Sequence, residues 1–125
     1  MKKILCVDDD LNLLRIYYDE LSEEGYEVIL AKDGKEAISK FDKLKPHIVV
    51  MDIRMPVMDG IEALNIMRGK NRQIPVILNT AYPQYQGDSM TWGAAAYVVK
   101  DDLGELKQKI REVLDKPQAA KAPKS

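Results

Sequence analysis

Polar residues of the types that bind phosphate and metal ions stand at four separate points of the chain, each directly after a short apolar run. They are Asp8, Asp9, Asp10, Asp52, Asn79, Thr80 and Lys100. Clustered carboxylates repel one another unless a cation lies among them, and oxygen ligands without nitrogen or sulfur favour Mg²⁺ over zinc. A lysine and a threonine hydroxyl can in turn bind phosphate oxygens. If the fold brings these residues together, they form a site for phosphoryl transfer, where charge neutralisation and positioning do most of the catalysis.

The overall composition narrows the classes of protein that would use such a site. The chain has 125 residues and a formal net charge of −1, which excludes a generic basic surface for nucleic acid. With 46% hydrophobic residues, it can form one globular core without a disulfide or a structural metal. Its single cysteine, Cys6, lies inside an apolar run, so we expect a buried, reduced thiol and no disulfide framework.

Five short apolar runs have the composition of strands that are buried on both faces. They cover residues 4–7, 28–31, 48–51, 76–78 and 97–99. Between and after them lie five stretches with the spacing of amphipathic helices. The residues at that spacing are Leu11, Leu14, Tyr18 and Leu21 in the first helix, Ala37, Ile38, Phe41 and Leu44 in the second, and Leu103, Leu106, Ile110, Val113 and Leu114 in the last. The third helix is predicted over 61–68, ended by Gly69, and the fourth over 83–92.

This (βα)₅ order predicts an α/β fold, a doubly wound five-stranded parallel sheet with helices on both faces. The carboxyl ends of parallel strands meet at one edge of the sheet, where open α/β sheets bind their ligands. That edge would bring together residues 8–10, 52, 79–80 and 100, which are up to about ninety positions apart in the chain.

Four segments, in this order, resemble the receiver domain of response regulators in two-component signalling. They are residues 4–10, 49–60, 76–81 and 96–100. Each segment spans a predicted strand and the polar residues at its carboxyl end. The resemblance covers residues 3 to about 115, and it implies the flavodoxin-like receiver fold with strand order 2-1-3-4-5.

The resemblance assigns a role to each residue of the acidic set. Asp52 would be the phosphoacceptor, whose carboxylate attacks a phosphohistidine and becomes an acyl phosphate. Asp9 would bind Mg²⁺ (or Mn²⁺) directly, and Asp8 would act on the metal largely through water. Asp52 and the backbone carbonyl of Arg54 would complete the protein ligands. Lys100 would pair with the phosphoryl oxygens.

The resemblance also implies a switch that reports phosphorylation. Thr80 would move to hydrogen-bond the new phosphoryl group, and Tyr97 would turn inward into the space that it leaves. The change would reach a partner through a surface made of the fourth helix, the fifth strand and the last helix. Trp92, Lys107 and Lys109 lie in that region of the sequence.

One position departs from the family pattern. The family usually has a proline after the final lysine, whereas here Asp101 follows Lys100. We therefore expect a trans bond between them, because a cis bond before a residue other than proline costs about 2.5–4 kcal/mol. Asp101 or Asp102 should cap the last helix, and Asp10 is interpreted as the cap of the first helix, outside the site.

Each assignment has a plainer alternative. Asp8 and Asp9 could cap the first helix and favour its positive end. Asp52 could be an ordinary turn residue, and Tyr97 a core aromatic, since strands favour tyrosine.

Three other classes of function compete with this one. One is a Mg²⁺-dependent phosphohydrolase acting through an aspartyl phosphate, but Arg54 stands where such enzymes commonly have a second acid. A flavin carrier would need a Ser/Thr/Gly-rich phosphate loop after the first strand, where this chain has three aspartates. The third is a degenerate receiver that only binds partners, which the complete acidic set argues against.

We therefore expect a phosphorylation-switched signalling domain and not a turnover enzyme. Its predicted partners are a sensor histidine kinase or histidine phosphotransfer protein and an unidentified downstream target, with no direct contact to nucleic acid or membrane. Residues 1–116 would form the receiver, and 117–125 a flexible tail or the start of a linker. The apolar stretches are too short for a signal peptide or a membrane span, which predicts a cytoplasmic protein.

Overall fold

The structure, a computed structural model, describes residues 1–81, 93–100 and 102–115. In chain order the elements are β1 (Lys3–Val7), α1 (Leu11–Glu23), β2 (Glu27–Ala31), α2 (Gly34–Leu44), β3 (Ile48–Met51), α3 (Gly60–Lys70), β4 (Val76–Thr80), β5 (Ala96–Val99) and α4 (Leu103–Asp115). All five predicted strands are confirmed, with β3 at the predicted bounds and the others one or two residues longer. The predicted fourth helix, Trp92, Asp101 and the tail 117–125 lie outside the described residues.

The strands form one sheet in the order β2-β1-β3-β4-β5, and every pairing is parallel, as expected. Because side chains alternate between the two faces of a sheet, Leu5 and Val7 pack on one side of β1, and Ile4 and Cys6 on the other. Helices α2 and α3 cover the first face, and α1 and α4 cover the second. Cys6 is fully buried and forms no disulfide, as predicted.

The helices begin at aspartates that cap them. In α1, α2 and α3 the cap is Asp10, Asp33 and Asp59, each accepting hydrogen bonds from backbone N–H groups of the first turn. In α4, the Glu105 N–H donates to Asp102 Oδ1 at 2.9 Å. The predicted caps Asp10 and Asp102 are therefore confirmed.

The apolar stripe predicted for α1 is wrong at two positions. The buried residues are Leu14, Tyr17 and Leu21, whereas Leu11 is 66% exposed and Tyr18 is 49% exposed. Leu11 stands in the first turn, past the ends of the strands. Tyr18 is turned about 100° from Tyr17 around the helix axis and faces away from the sheet.

Two details of α2 and α3 also differ from the prediction. Leu44 is 41% exposed because it stands in the last turn of α2, at the rim of the core. Helix α3 starts at Gly60 and continues through Gly69 to Lys70 instead of ending before Gly69. A glycine inside a helix costs only about 1 kcal/mol relative to alanine, so it does not end the helix by itself.

Candidate functional site

The carboxyl edge of the sheet holds all four polar side chains that are buried within the described part of the chain. They are Asp8, Asp52, Asn79 and Thr80. Asp8 directly follows β1, Asp52 directly follows β3, and the other two end β4. The structure thus brings together side chains that the sequence had only placed at strand ends.

Lys100 joins the two buried carboxylates. Its Nζ lies 2.6 Å from Asp8 Oδ2 and 3.0 Å from Asp52 Oδ2. The second oxygen of each carboxylate accepts a backbone hydrogen bond, from the Asp10 N–H at 2.9 Å and from the Ile53 N–H at 2.7 Å. Both carboxylates are therefore fixed in orientation, which is how a protein tolerates buried charge.

These charges act strongly on one another. Burial lowers the pKa of the Lys100 ammonium, but the hydrogen bonds and charges of Asp8 and Asp52 outweigh burial and hold that pKa above its usual value. Burial is the largest effect on Asp8 and raises its pKa, against the opposing contacts from Lys100 and the Asp10 N–H. Lys100 therefore stays protonated at neutral pH and remains the cation of the pocket.

Asp9 completes an acidic cluster at the mouth of the pocket. One carboxylate oxygen from each of Asp8, Asp9 and Asp52 lies within 4.8 Å of the others, with Asp9 exposed and the other two buried. Oxygen donors of this kind suit Mg²⁺ or Mn²⁺, so the residues present fit the predicted metal. Arg54, whose backbone carbonyl the resemblance assigns to the metal, stands two residues after Asp52 in an exposed position.

The predicted switch residues lie on neighbouring strands. Thr80 is fully buried at the end of β4, and its backbone carbonyl accepts the Lys100 N–H at 2.8 Å. Tyr97 pairs in register with Leu78 and packs with it on the α2 and α3 face. Because Leu78 and Thr80 are two residues apart in one strand, Thr80 and Tyr97 share a face of the sheet. A role for this pair in switching remains a prediction.

Tyr17 is a neighbour of the site that the sequence analysis missed. Its hydroxyl oxygen accepts a hydrogen bond from Asn79 Nδ2 at 2.8 Å, and both side chains are buried. A cavity of about 170 Å³ beside this pair is also lined by Lys100. Burial, and then the charge of Asp8, raises the pKa of Tyr17 to about 12. Its spacing, three residues after Leu14 and four before Leu21, is the sequence signal that could have revealed Tyr17, but the predicted stripe used Tyr18 instead.

Part of the predicted partner surface faces another helix. The Lys107 Nζ lies 2.8 Å from Oε1 of Glu20 on α1 and 3.8 Å from Oε2 of Glu24, the residue that caps the end of α1. Lys109 Nζ pairs with Glu112 Oε1 within α4 at 3.6 Å. Lys107 thus ties α4 to α1, while Lys109 stays on the outer surface of α4.

The fold and this site together define a phosphorylation-controlled signalling domain built on a parallel α/β sheet. The model of the response regulator receiver domain family matches residues 4–111. The chain belongs to that family.

Individual relatives agree with the family. The regulatory protein AtoC of Escherichia coli (strain K12) is 39% identical over 117 residues, which cover 91% of this chain and 25% of AtoC. The response regulator TrrA of Thermotoga maritima, solved in complex with Mg²⁺-BeF, has a TM-score of 0.87 at 41% identity, covering 90% of this chain and 99% of TrrA. TrrA solved in complex with the histidine kinase ThkA has a TM-score of 0.86 at 41% identity, and the match covers 92% of this chain and 100% of the matched chain. This chain spans between a quarter and about half of the curated relatives that it matches.

Proposed function

We propose that Asp52 of this receiver domain accepts the phosphoryl group that switches it. The observation that carries the proposal is the buried contact of 3.0 Å between Asp52 and Lys100. A carboxylate held by one backbone N–H and one ammonium has a fixed direction of attack. The same ammonium is in place to pair with phosphoryl oxygens once the group is attached, which stabilises charge where it develops.

The acidic cluster would hold the metal in this proposal. Asp9 and Asp52 would bind Mg²⁺ or Mn²⁺ directly, Asp8 largely through water, and the Arg54 carbonyl would be a further ligand. When bound, the metal neutralises the carboxylates and the phosphoryl oxygens that would otherwise repel each other. The presence of Mg²⁺-BeF on the related TrrA supports this reading.

The proposed donor is a phosphohistidine on a sensor histidine kinase or a histidine phosphotransfer protein. An oxygen of Asp52 attacks the phosphorus, the phosphorus–nitrogen bond breaks, and its electron pair leaves with the imidazole. Lys100, no longer facing the free Asp52 carboxylate, pairs with the new phosphoryl oxygens. The complex of TrrA with the kinase ThkA supports this class of donor. The domain is then a phosphoacceptor that assists its own reaction, not a turnover enzyme.

The signal would leave the site through Thr80 and Tyr97. Thr80 would move to hydrogen-bond the phosphoryl group, and Tyr97 would turn inward on the same face of the sheet. Strand β5, helix α4 and the segment between β4 and β5 would present the result to a downstream target.

Mass spectrometry of the intact protein tests the phosphoacceptor. Incubation with Mg²⁺ and acetyl phosphate should add one phosphoryl group, and Asp52→Asn or removal of the metal should abolish the adduct. Asp10→Asn is the matched control, because asparagine caps a helix as well as aspartate does. An adduct that persists in Asp52→Asn, or that forms without a divalent cation, contradicts the proposal.

The same assay separates the other functions. Steady release of phosphate from assorted phosphate esters would indicate a phosphohydrolase. Failure of the wild type to take up any phosphoryl group would indicate an interaction-only receiver.

Wider statements about the protein are also proposals. We propose residues 1–116 as the receiver, 117–125 as a tail or the start of a linker, and a cytoplasmic location without direct nucleic-acid or membrane contact. Within the three described ranges, no helix is both long and apolar enough to cross a membrane.

A further inference from the structure

Helices α2 and α3 begin with the same kind of sequence. The two starts are Asp33-Gly34-Lys35-Glu36 and Asp59-Gly60-Ile61-Glu62. In each, the aspartate Oδ1 accepts the N–H of the glutamate three residues later, at 2.8 and 2.9 Å. The glycines contact opposite ends of the stretch Asp52–Met58. We call residues 53–59, between Asp52 and α3, the acceptor loop.

The acceptor loop is closed at its base. The Gly60 N–H donates to the Ile53 carbonyl at 2.7 Å. A Cβ atom on Gly60 would collide with the backbone carbonyl of Asp52. Helix α3 therefore starts directly against the residue that we propose as phosphoacceptor, and any side chain at position 60 would push on that residue.

Helix α2 touches the same loop from the other side. A Cβ atom on Gly34 would lie 2.7 Å from the Met58 carbonyl oxygen and 3.0 Å from Met58 Cβ. The first of these contacts is with backbone, so a rotamer change cannot relieve it. The close approach of α2 to the acceptor loop depends on the absence of a side chain at position 34.

Between these two contacts the loop holds a strained turn. Val57 has a φ of 71°, and the Met58 N–H donates to the Pro56 carbonyl at 2.7 Å, which closes a three-residue turn. A positive φ is unfavourable for a β-branched residue and persists only where its surroundings impose it. The Val57 side chain is 76% exposed, so its own packing does not impose the turn. The loop is held instead by the packing of Met55 and Met58 against the core and, on its two sides, by the contacts at Gly34 and Gly60.

We propose that Gly34 is a positioning residue for the reaction at Asp52. Because Gly34 lacks a side chain, α2 can approach the acceptor loop and hold it in its strained form. That form fixes the positions of the Arg54 carbonyl and of Asp52, which directly precedes the loop. This inference rests on the proposed function, in which those groups hold the metal and accept the phosphoryl group.

Gly34→Ala is the test, and Gly69→Ala is its matched control. Both changes add one methyl group to a helix, but a Cβ at Gly69 meets nothing within 4 Å. Gly34→Ala should weaken Mg²⁺ binding and slow phosphorylation by acetyl phosphate, each by about tenfold, because small displacements at a reacting centre are costly. Gly69→Ala should change neither quantity. Calorimetric titration with Mg²⁺ and time courses of the phosphoryl adduct measure the two effects.

A second substitution separates positioning from a general loss of stability. Glycine adopts a positive φ freely, so Val57→Gly should let the turn persist without support from α2. Val57→Gly added to Gly34→Ala should therefore restore most of the lost Mg²⁺ affinity. Lys45→Gly relieves the other positive φ, of 49°, outside the loop and should restore nothing.

Three results would overturn the inference. They are unchanged Mg²⁺ binding and phosphorylation in Gly34→Ala, an equal loss in Gly69→Ala, and failure of Val57→Gly to restore affinity. If Gly34→Ala does not fold, Met58→Ala takes its place. It removes Met58 Cγ, which would lie 3.1 Å from a Cβ on Gly34, and so loosens the packing of the loop beside α2. Loss of Mg²⁺ affinity is expected, and unchanged affinity contradicts the inference. A wild-type chain that neither binds Mg²⁺ nor takes up a phosphoryl group would instead contradict the proposed function.

Discussion

The two ends of the parallel strands differ in whether their polar residues are buried or exposed. At the carboxyl edge, Asp8 and Asp52 are 1% and 5% exposed and share the Lys100 ammonium. At the amino edge, His47 is exposed, and its Nδ1 accepts the Lys3 N–H at 2.9 Å. The same strands, β1 and β3, contribute to both edges. The sheet itself therefore needs no buried charge, which agrees with our proposal that the buried charges at the carboxyl edge serve the reaction.

The comparison also shows what such a site costs. Buried charges lose hydration, and their mutual attraction offsets this loss only when the geometry is good. Removing one member leaves the others buried and unpaired, whereas an exposed contact is replaced by water. The two edges should therefore respond very differently to substitution, metal and pH.

The largest difference should come from Lys100→Ala. Asp8 and Asp52 would lose their shared cation, so the free energy of unfolding without metal should fall by about 3 kcal/mol. Mg²⁺ should recover part of the loss, because it replaces the missing positive charge. Lys107→Ala, which removes the contact to Glu20, is the control and should have a much smaller effect. Urea denaturation with and without Mg²⁺ measures the loss of stability in both variants. Equal losses would contradict the expected difference between the buried and the exposed ion pair.

The second test uses alkaline pH to titrate two buried groups near the carboxyl edge, Cys6 and Tyr17. Burial, and then the charge of Asp8, raises the pKa of Cys6 from 9.0 to about 12. The folded chain therefore keeps a thiol proton that the unfolded chain loses. The contribution of Cys6 to stability is constant below pH 9 and falls as the pH rises toward 12. The slope should be about 1.4 kcal/mol per pH unit for this group.

Tyr17, with its pKa raised to about 12, contributes in the same direction. Cys6→Ala should therefore make the alkaline slope shallower without removing it, whatever its effect on stability at neutral pH. Denaturation curves across the alkaline range measure the slope, and an unchanged slope in Cys6→Ala would show that the thiol is not the group responsible.

The third test removes one ligand from the acidic cluster. Mg²⁺ at ten times its dissociation constant should stabilise the wild type by about 1.4 kcal/mol, and chelation should reverse this. Asp9→Asn should abolish the Mg²⁺ effect and leave metal-free stability equal or higher, because three carboxylates repel one another there. Glu27→Gln, at the start of β2 on the amino edge, should leave the Mg²⁺ effect intact. Thermal melts with a Mg²⁺ titration would detect either outcome.

The smallest effect should come from His47. Burial, and then the charges of Lys2, Lys3 and the N-terminus, lower the pKa of His47 below its usual 6.5. The folded chain favours the neutral imidazole. The contribution of His47 to the free energy of unfolding is therefore fully present above pH 6.5 and is lost as the pH falls. Protonation also ends the hydrogen bond that Nδ1 accepts from Lys3. His47→Gln should flatten the acid side of the stability profile slightly, and an identical profile would exclude a role for this histidine.

Sequence patterns predicted the elements well where one residue type settles the local structure. Continuous apolar runs located all five strands, and aspartates before helices located the caps at Asp10 and Asp102. Patterns failed where neighbouring positions are chemically alike. Tyr17 and Tyr18 both suit a helix, and only the rotation of α1 against the sheet selects the first. Strand order did not follow from spacing at all and was correct because the motifs resemble a known family.

By itself, the sequence determined that four aspartates, a threonine and a lysine would meet at one edge, because parallel strands all end there. Three of the aspartates follow β1 and the fourth follows β3. Only the tertiary structure decided which of them touch. Lys100 bridges Asp8 and Asp52, the amide of Asn79 bonds to Tyr17, and α2 approaches the acceptor loop at Gly34. These contacts join residues far apart in the chain, and their distances depend on how closely the helices pack. Local propensity and periodicity contain no information about that approach.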